Sequence, residues 1–255
     1  MIFSEILFTS LSSLKSNPVR SFLTALAIII GIGSVIAMLS IGSGAQKLLE
    51  EEIQTLGGRI LWVSGSQRER GGVKRDYVQL EIKDAEALRD YQGYEWEIST
   101  EMKERRQIKF GNANFNAQIG AYWYNFFDVR DFEIEHGRGF TENEDLGRQR
   151  VVVIGADIPK ELKTNHKAML NNDIQINGIP YKVIGILKKR GSQGWESPDN
   201  EIYAPLQTAS ARIFGTKNLR SIMVKIPNDA NVEEAMLNIE SVMRVQHDIG
   251  PGQQN

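Results

Sequence analysis

The most apolar stretch of the chain extends from Phe22 to Ile41. Its twenty residues carry no charge, and their polar side chains are Thr24, Ser34 and Ser40. A helix of this length rises about 1.5 Å per residue and reaches roughly 30 Å, the thickness of a bilayer's hydrocarbon core. The pattern therefore predicts a transmembrane helix. A cleaved signal peptide fits less well, because its apolar core is typically about 7–15 residues long and follows a short basic region.

The charges that flank this stretch predict its orientation. Lys15 and Arg20 precede it, and residues 50–52 beyond it are all glutamate. Because cytoplasmic flanks carry an excess of lysine and arginine, we expect the N-terminus to lie in the cytoplasm and the chain after about residue 45 to be exported.

Helical periodicity continues on both sides of the predicted span. Residues 1–16 place apolar side chains at helical spacing, which predicts an amphipathic helix in the membrane interface. Asn17 and Pro18 then begin a new helix, since asparagine caps and proline is tolerated in the first turn. Residues 17–57 read as the transmembrane helix plus a stalk of about three turns, which Gly57-Gly58 ends. The apolar face of the stalk would pack on its own domain or on another chain.

Four glycines lie in or next to the span, namely Gly31, Gly33, Gly42 and Gly44. Small residues let helices approach closely in lipid, where packing drives association. We predict these glycines as candidate membrane-helix packing positions. The alternative is the ordinary tolerance of glycine in membrane helices.

The remainder of the chain alternates between apolar and polar positions in short runs, which predict these strands: Arg59–Val63, Tyr77–Ile82, Gln107–Phe110, Phe115–Ile119, Val151–Gly155, Asp173–Ile176, Lys182–Leu187 and Leu219–Ile226. Asn177-Gly178 between two such runs predicts a tight hairpin turn. A helix is expected after Lys83 with Asp84 as its cap, and another from Asn231 to Gln246. Segments 64–76 and 189–200 are rich in glycine, serine and charge and are expected to be loops.

Helices near both ends and a β-rich middle predict an α+β fold with an inserted, mainly β subdomain. The boundaries that follow from the elements are an α/β subdomain formed by residues 58–105 and 216–255, and an inserted subdomain formed by residues 106–215.

Composition and motifs exclude several classes of chemistry. The chain has no cysteine, which excludes disulfides, thiolate metal sites and thiol nucleophiles, and its formal charge of −2 argues against a general nucleic-acid surface. Neither a P-loop nor a G-x-S-x-G motif occurs. His136, His166 and His247 are far apart and read as surface or loop histidines. We therefore expect no catalytic residue, no metal and no cofactor in this chain. The aromatic segment 122–127 is either a ligand platform or core packing.

Several segments resemble MacB-like ABC transporter permeases, the group that includes the FtsX-like and Lol-type permeases. The resemblance rests on residues 17–45 (NPVRSFLTALAIIIGIGSVIAMLSIGSGA), QTLGGRILWVSG, EHGRGFTENED, VVVIGADI, INGIPYKVIGILKKRG, APLQTASARIFG and the terminal HDIGPGQQN.

The resemblance implies that the chain is the N-terminal part of a noncatalytic permease subunit of the bacterial inner membrane, with a periplasmic core that holds a porter-like α/β subdomain. The implied partners are a cytoplasmic ABC ATPase, a second permease copy as a homo- or heterodimer, a periplasmic adaptor and an outer-membrane channel. Such permeases couple ATP hydrolysis by the partner to periplasmic motion and export.

Two departures from the family pattern qualify this implication. Three further membrane helices would follow Asn255, so we expect a truncated permease or a natural split half. Residues 161–173 replace the usual family stretch, which puts adaptor recognition in question. The alternative function is a single-pass, membrane-anchored periplasmic binding or scaffold protein.

Overall fold

The computed structural model describes residues 17–55, 59–65, 67–70, 73–77, 79–91, 94–191 and 197–249. The chain forms two compact units that divide between Thr55 and Leu56. The first unit is one helix, α1 (Pro18–Thr55), whose 38 residues correspond to about 57 Å. The predicted interfacial helix at 1–16 and the Gly57-Gly58 stop lie outside the described residues.

Helix α1 matches the predicted span and stalk. Residues Pro18–Gly44 are long and apolar enough to cross a membrane. Polar side chains in this region bond to the helix itself, because Thr24 Oγ1 lies 3.0 Å from Arg20 O and Ser34 Oγ donates to Gly31 O at 2.8 Å. Such internal bonds satisfy polar groups where water is absent. The helix begins at Pro18, as the Asn17-Pro18 pair predicted. Its first turn is closed by a hydrogen bond from Ser21 N to the Asn17 carbonyl oxygen at 3.1 Å.

The second unit contains the strands and the remaining helices. The strands are β1 (Ile60–Ser64), β2 (Gln67–Arg70), β3 (Val73–Tyr77), β4 (Leu80–Glu81), β5 (Glu97–Phe110), β6 (Ala113–Tyr122), β7 (Ile134–Gly137), β8 (Val151–Ile154), β9 (Asp173–Ile176), β10 (Ile179–Leu187), β11 (Glu201–Pro205), β12 (Asn218–Leu219) and β13 (Ser221–Lys225). The helices are α2 (Ile82–Asp90), α3 (Phe126–Val129), α4 (Glu142–Leu146), α5 (Ile158–Glu161), α6 (His166–Met169), α7 (Leu206–Ala209) and α8 (Val232–Gln246), with a 3-10 turn at Pro198–Asn200 and a π turn at Ser210–Phe214.

Nine strands form one mixed sheet. Its order is β1-β13-β5-β6-β11-β8-β10-β7, and β9 pairs with both β10 and β5. The β6–β11 and β8–β10 pairs are parallel and the others are antiparallel. Two further ladders join β2 to β3 and β4 to β12. The fold is thus the predicted mixture of helix and sheet.

The central sheet buries apolar side chains on both faces. Val152 and Ile154 lie in one hydrophobic cluster, whereas their neighbours Val151 and Val153 lie in a second. This alternation follows from the two-residue period of a strand. Helices α2 and α8 contribute apolar residues to the first cluster, and aromatic residues of α3 dominate the second.

The hairpin and the last helix follow the sequence prediction closely. Asn177 and Gly178 have φ values of +50° and +80° and join β9 to β10, which pair directly from Ile176 to Ile179. The side chain of Asn231 accepts a bond from Glu233 N at 2.9 Å and so caps α8. Both features are local, so sequence was sufficient to predict them.

Three local predictions were wrong. Segment 64–76 was predicted as a loop, but it contains β2 and most of β3, which pair in a charged hairpin. The predicted strand Tyr77–Ile82 is divided among three elements, because Tyr77 ends β3, Leu80 and Glu81 form β4, and α2 already begins at Ile82. Asp84 is the third residue of α2 rather than its cap, and its Oδ2 accepts from Glu81 N at 2.8 Å. The reciprocal geometry of a capping box, rather than a single cap, explains this shift.

The division into two subdomains stays a prediction. Strand β5 runs without interruption from Glu97 to Phe110 and so crosses the proposed boundary at residues 105 and 106. The same nine-stranded sheet holds strands from both predicted subdomains.

A charged groove on the central sheet

Three charged side chains meet on one face of the sheet in the second unit. Lys103 of β5 places its Nζ 2.6 Å from Glu101 Oε1 and 3.6 Å from Glu201 Oε2 of β11. The side chains are mostly withdrawn from water, with exposed fractions of 14% for Lys103, 5% for Glu101 and 8% for Glu201. Charges in such a position need compensation, and here one ammonium group compensates two carboxylates.

Two hydroxyl groups complete this polar cluster. Ser221 Oγ of β13 donates to Glu101 Oε2 at 2.7 Å, and the Tyr122 hydroxyl of β6 donates to Glu201 Oε1. Burial raises the pKa of the Tyr122 hydroxyl well above its usual value, and the negative charge of Glu201 raises that pKa further. Tyr122 therefore keeps its proton at neutral pH and acts as a hydrogen-bond donor, not as a base.

Strand register brings these residues together. Lys103 pairs with Gly120, Gly120 pairs in turn with Tyr203, and Ser221 pairs with Glu101. A Cβ atom at Gly120 would overlap the side chains of Glu201 and Tyr122. The glycine therefore makes room for the hydrogen bond between them.

Four of the five residues of the polar cluster, all except Tyr122, line a groove of about 670 Å³. The groove is lined by Trp62, Ser64, Glu101, Lys103, Arg105, Phe115, Asn116, Gln118, Glu161, Ser197, Asn200, Glu201, Arg220 and Ser221. Within the described part of the chain no histidine lines it, so Ser221 has a carboxylate neighbour but no imidazole base. Its acids, bases and amides suit a polar partner that forms hydrogen bonds and ion pairs.

One wall of the groove depends on the buried carboxylate of Asp199. Its Oδ1 accepts from Arg190 N at 3.0 Å, and its Oδ2 accepts from Gly191 N at 2.7 Å. Asp199 thus fixes the chain at the start of the segment predicted as loop 189–200, whose residues 192–196 lie outside the described part. Asp199 lies in the 3-10 turn at Pro198–Asn200, and Asn200 of that turn lines the groove.

The aromatic segment 122–127 packs in the core at Tyr122, Trp123, Phe126 and Phe127, whereas Tyr124 is 43% exposed. Tyr122 stacks on Phe126 with ring centroids 3.7 Å apart, and both rings contact Tyr203. All three are at most 3% exposed. The alternative of an open ligand platform is therefore wrong for these rings.

A second charged pair anchors helix α4. Arg138 donates to both carboxylate oxygens of Glu144, at 2.7 and 2.8 Å. The pKa of Glu144 is lowered to about 2. The largest cause is the hydrogen bond from Arg138, and hydrogen bonds from Thr141 also contribute. The partner of Glu144 thus lies outside α4.

The pKa of Asp145, the next residue, is raised, whereas the pKa of Glu144 is lowered. Burial raises the pKa of Asp145 to about 6, and nearby Glu142 contributes, although Asp145 Oδ1 accepts from Gln207 N at 2.7 Å. The folded state thus holds the proton more tightly than the unfolded chain, and stability declines as pH rises from about 4 to about 6. We expect Asp145→Asn to raise the free energy of unfolding at pH 8 by about 1–3 kcal/mol, since the amide oxygen still accepts.

Chemical denaturation of the detergent-solubilised chain between pH 4 and 8 measures this effect. The decline in stability above pH 4 should be weaker in Asp145→Asn than in the unaltered chain. Asp173→Asn, which makes the same substitution at an exposed aspartate, serves as the control and should change stability by less than about 0.5 kcal/mol. A destabilised Asp145→Asn variant at pH 8 would contradict the prediction.

The histidines do not all lie apart in the folded chain. His247 Nε2 is 3.1 Å from Asp84 Oδ2, at the contact between α8 and α2. His136 and His166, thirty positions apart in sequence, have ring centroids 5.7 Å apart and lie next to Glu135. The linear spacing gave no signal for this group, because β7 was not predicted as a strand.

The predicted glycines of the span all lie on α1. A Cβ atom at Gly31, Gly33, Gly42 or Gly44 would meet no atom within 4 Å. Close packing against the described residues therefore gives no reason for these glycines, and their role as packing positions stays a prediction.

Comparison with known proteins connects this architecture to one family. The sequence profile of the MacB-like periplasmic core domain matches residues 21–242. The chain is 30% identical over 243 residues to the macrolide export ATP-binding/permease protein MacB of Chlorobium luteolum, covering 94% of this chain and 36% of that protein. It is 28% identical over 246 residues to MacB of Bdellovibrio bacteriovorus, covering 95% and 38%. The chain thus spans little more than a third of the length of these relatives.

A solved structure agrees with the sequence comparison. The periplasmic region of MacB from Actinobacillus actinomycetemcomitans superposes with a TM-score of 0.63 at 23% identity, covering 77% of this chain and 87% of that one. The fold is therefore that of MacB periplasmic regions, as the sequence resemblance predicted. With a family match over most of its residues and the corresponding fold, this chain belongs to the family of MacB-like periplasmic core domains.

Proposed function

We propose that this chain is the noncatalytic permease part of a MacB-like ABC transporter. In this proposal it is anchored in the bacterial inner membrane by α1, with its N-terminus in the cytoplasm and the sheet unit in the periplasm. Its partners are a cytoplasmic ABC ATPase, a second permease copy, a periplasmic adaptor and an outer-membrane channel. The named relatives export macrolides, so a macrolide such as erythromycin is the first transport substrate to test.

The observation that carries the proposal is the length of α1. The helix continues from the apolar region that ends at Gly44 to Thr55, about 16 Å further, without a break. A continuous helix transmits displacement along its axis because it has no flexible joint. ATP-driven dimerisation of the ATPase would bring two such helices together and move the periplasmic units.

The glycines of α1 support association with other membrane helices. Among the described residues no atom would lie within 4 Å of a Cβ atom at Gly31, Gly33, Gly42 or Gly44, which leaves these positions open to the backbone of a neighbouring helix. Close approach at small residues is a common mode of packing in lipid. A second permease copy is the partner that the proposal requires.

The test introduces a flexible joint into α1 of the assembled transporter. We expect Gln46→Gly combined with Lys47→Gly to abolish erythromycin export while ATP hydrolysis continues, because a di-glycine weakens the helix where motion must pass. The matched control is Gln46→Ala with Lys47→Ala, which alters the same side chains but favours helix. Export should persist in the control.

A distance measurement makes the test independent of the substrate. The chain has no cysteine, so a spin label can be attached through Leu237→Cys, an exposed position of α8. ATP should shift the distance between the two labels of a permease dimer in the alanine control and not in the di-glycine variant. An equal ATP-dependent shift in both variants would contradict the proposal that α1 transmits the motion.

The alternative function is a single-pass binding or scaffold protein, and the charged groove is the observation that favours it. An independent binding protein has no ATPase to couple to. ATP would then change the label distance in neither variant, and no ABC ATPase would co-purify with the chain.

A further inference from the structure

Three groups that commonly bind metal ions converge at one edge of the sheet. Glu135 and His136 belong to β7, and His166 is the first residue of α6. Each offers one ligand atom, and these atoms all lie within 4.8 Å of one another. The convergence arises from folding, because β7 and α6 are separated by α4, β8 and α5 in the chain.

The backbone holds both ligand-bearing segments in place. His136 pairs with Ile186 of β10, and the neighbouring Gly137 adopts a φ of +80° where a Cβ atom would overlap the Ile184 carbonyl oxygen. Asn165 caps α6 by accepting from Ala168 N at 2.9 Å. The two segments are therefore fixed by strand pairing and by a helix cap rather than by the candidate ligands themselves.

The hydrogen bond of His166 prepares it to coordinate a metal. Its Nε2 lies 3.0 Å from the Ala156 carbonyl oxygen. A carbonyl oxygen only accepts, so Nε2 carries the proton and Nδ1 carries the lone pair. Metal-bound histidines typically donate their other ring N–H to a carbonyl or carboxylate in this way, which orients the ring.

We propose that Glu135, His136 and His166 bind one Zn²⁺ ion. Two imidazoles and one carboxylate are a ligand set that Zn²⁺ accepts, with water in the fourth position. Bond lengths of about 2.0–2.2 Å place tetrahedral ligand atoms roughly 3.3 Å apart, so separations of up to 4.8 Å must shorten by at most about 1.5 Å. Glu135 and His136 are exposed, and their side chains can rotate to make this closure.

The charges around the site permit a cation. The surrounding cleft also contains Lys160, Lys167, Lys189 and Asp157. Lys189 Nζ is 2.9 Å from Asp157 Oδ1, so its charge is compensated. Lys160 and Lys167 are exposed, and water and salt screen their repulsion of the ion. The bound ion would tie the edge strand β7 to α6 within segment 161–173, where the chain departs from the family pattern.

The test is a Zn²⁺ titration of the full chain in detergent micelles by calorimetry, after removal of metals with a chelator and with a purification tag that lacks histidine. We expect one Zn²⁺ per chain. His136→Ala and His166→Ala should each weaken binding at least tenfold. The matched control is His247→Gln, which removes the third histidine at a distant position and should leave binding unchanged.

Thermal melting separates loss of a ligand from loss of the fold. Zn²⁺ should raise the melting temperature of the unaltered chain and of His247→Gln, but not that of His136→Ala or His166→Ala. Each variant should melt cooperatively in the presence of chelator. Absence of Zn²⁺ binding by the unaltered chain, or unchanged affinity in a cooperatively folded His136→Ala variant, would overturn the proposal. Neither outcome bears on the transporter role.

Discussion

Replacing Lys103 with methionine should lower the free energy of unfolding by about 3–5 kcal/mol, because the change removes the ammonium group that two buried carboxylates share. Methionine has a similar length and leaves little empty space, so the loss reflects charge more than packing. Arg220 is a poor substitute, since its Nε is 3.9 Å from Glu101 Oε2 and its side chain is 68% exposed. Chemical denaturation of the solubilised chain at pH 7.5 measures the difference.

Two comparisons identify the cause of that loss. Lys109→Met makes the same substitution at an exposed position of the same strand and should change stability by less than about 0.5 kcal/mol. Introducing Lys103→Met into a chain that already carries Glu101→Gln and Glu201→Gln should cost far less, because the two carboxylates that share the ammonium group are then absent. An equal loss in both backgrounds would mean that the ammonium group does not act by compensating these carboxylates.

Gly155→Ala should destabilise the sheet unit by about 2–3 kcal/mol, because the new methyl group meets backbone that has no room to rotate away. A Cβ atom at Gly155 would overlap the carbonyl oxygens of Pro198 and Asp199. The same contact is held by bonds from Gly155 N to Glu201 O at 2.8 Å and from Asp157 N to Asp199 O at 2.9 Å. Relief of the overlap must therefore stretch or break these bonds.

Gly139→Ala is the matched control for this substitution. A Cβ atom at Gly139 would meet side-chain atoms of Phe127 at 3.2 Å and of Ile134 at 3.4 Å, and side chains can shift by a few tenths of an ångström. We expect a loss below about 1 kcal/mol, measured by denaturation under the same conditions. A Gly155→Ala variant as stable as Gly139→Ala would contradict the prediction. It would show that the backbone of the 3-10 turn can move enough to remove the overlap.

Both predictions concern the same region of the fold. Glu201 takes part in the polar cluster and also accepts the bond from Gly155, while Asn200 lines the groove beside it. The groove is thus built from strand register and from one short turn, and its shape depends on backbone contacts as well as on charge.

The sequence by itself determined the features that depend on neighbouring residues. Helix α1 follows from an uncharged run long enough to cross a bilayer, the β9–β10 hairpin from Asn177-Gly178, and α8 from its cap and apolar stripe. The family resemblance was also readable from short motifs, and comparison with known proteins confirmed it.

Tertiary structure decided what local pattern cannot encode. Strand β11 is buried throughout and β7 is exposed at three of its four residues, so neither shows the alternation that marks a strand with one face in water. The first half of β5 was missed because Ser99, Thr100 and Glu101 are polar and yet buried. Their burial depends on partners in other strands.

The same reason explains why the candidate sites were not predicted. Lys103 meets Glu201, and His136 meets His166, only because particular strands and helices pack side by side. Periodicity along a chain records which face of an element meets water, but it does not record which distant element covers that face. Sequence therefore determined the anchor, the family and the local elements, whereas the groove and the histidine pair exist only in the folded sheet.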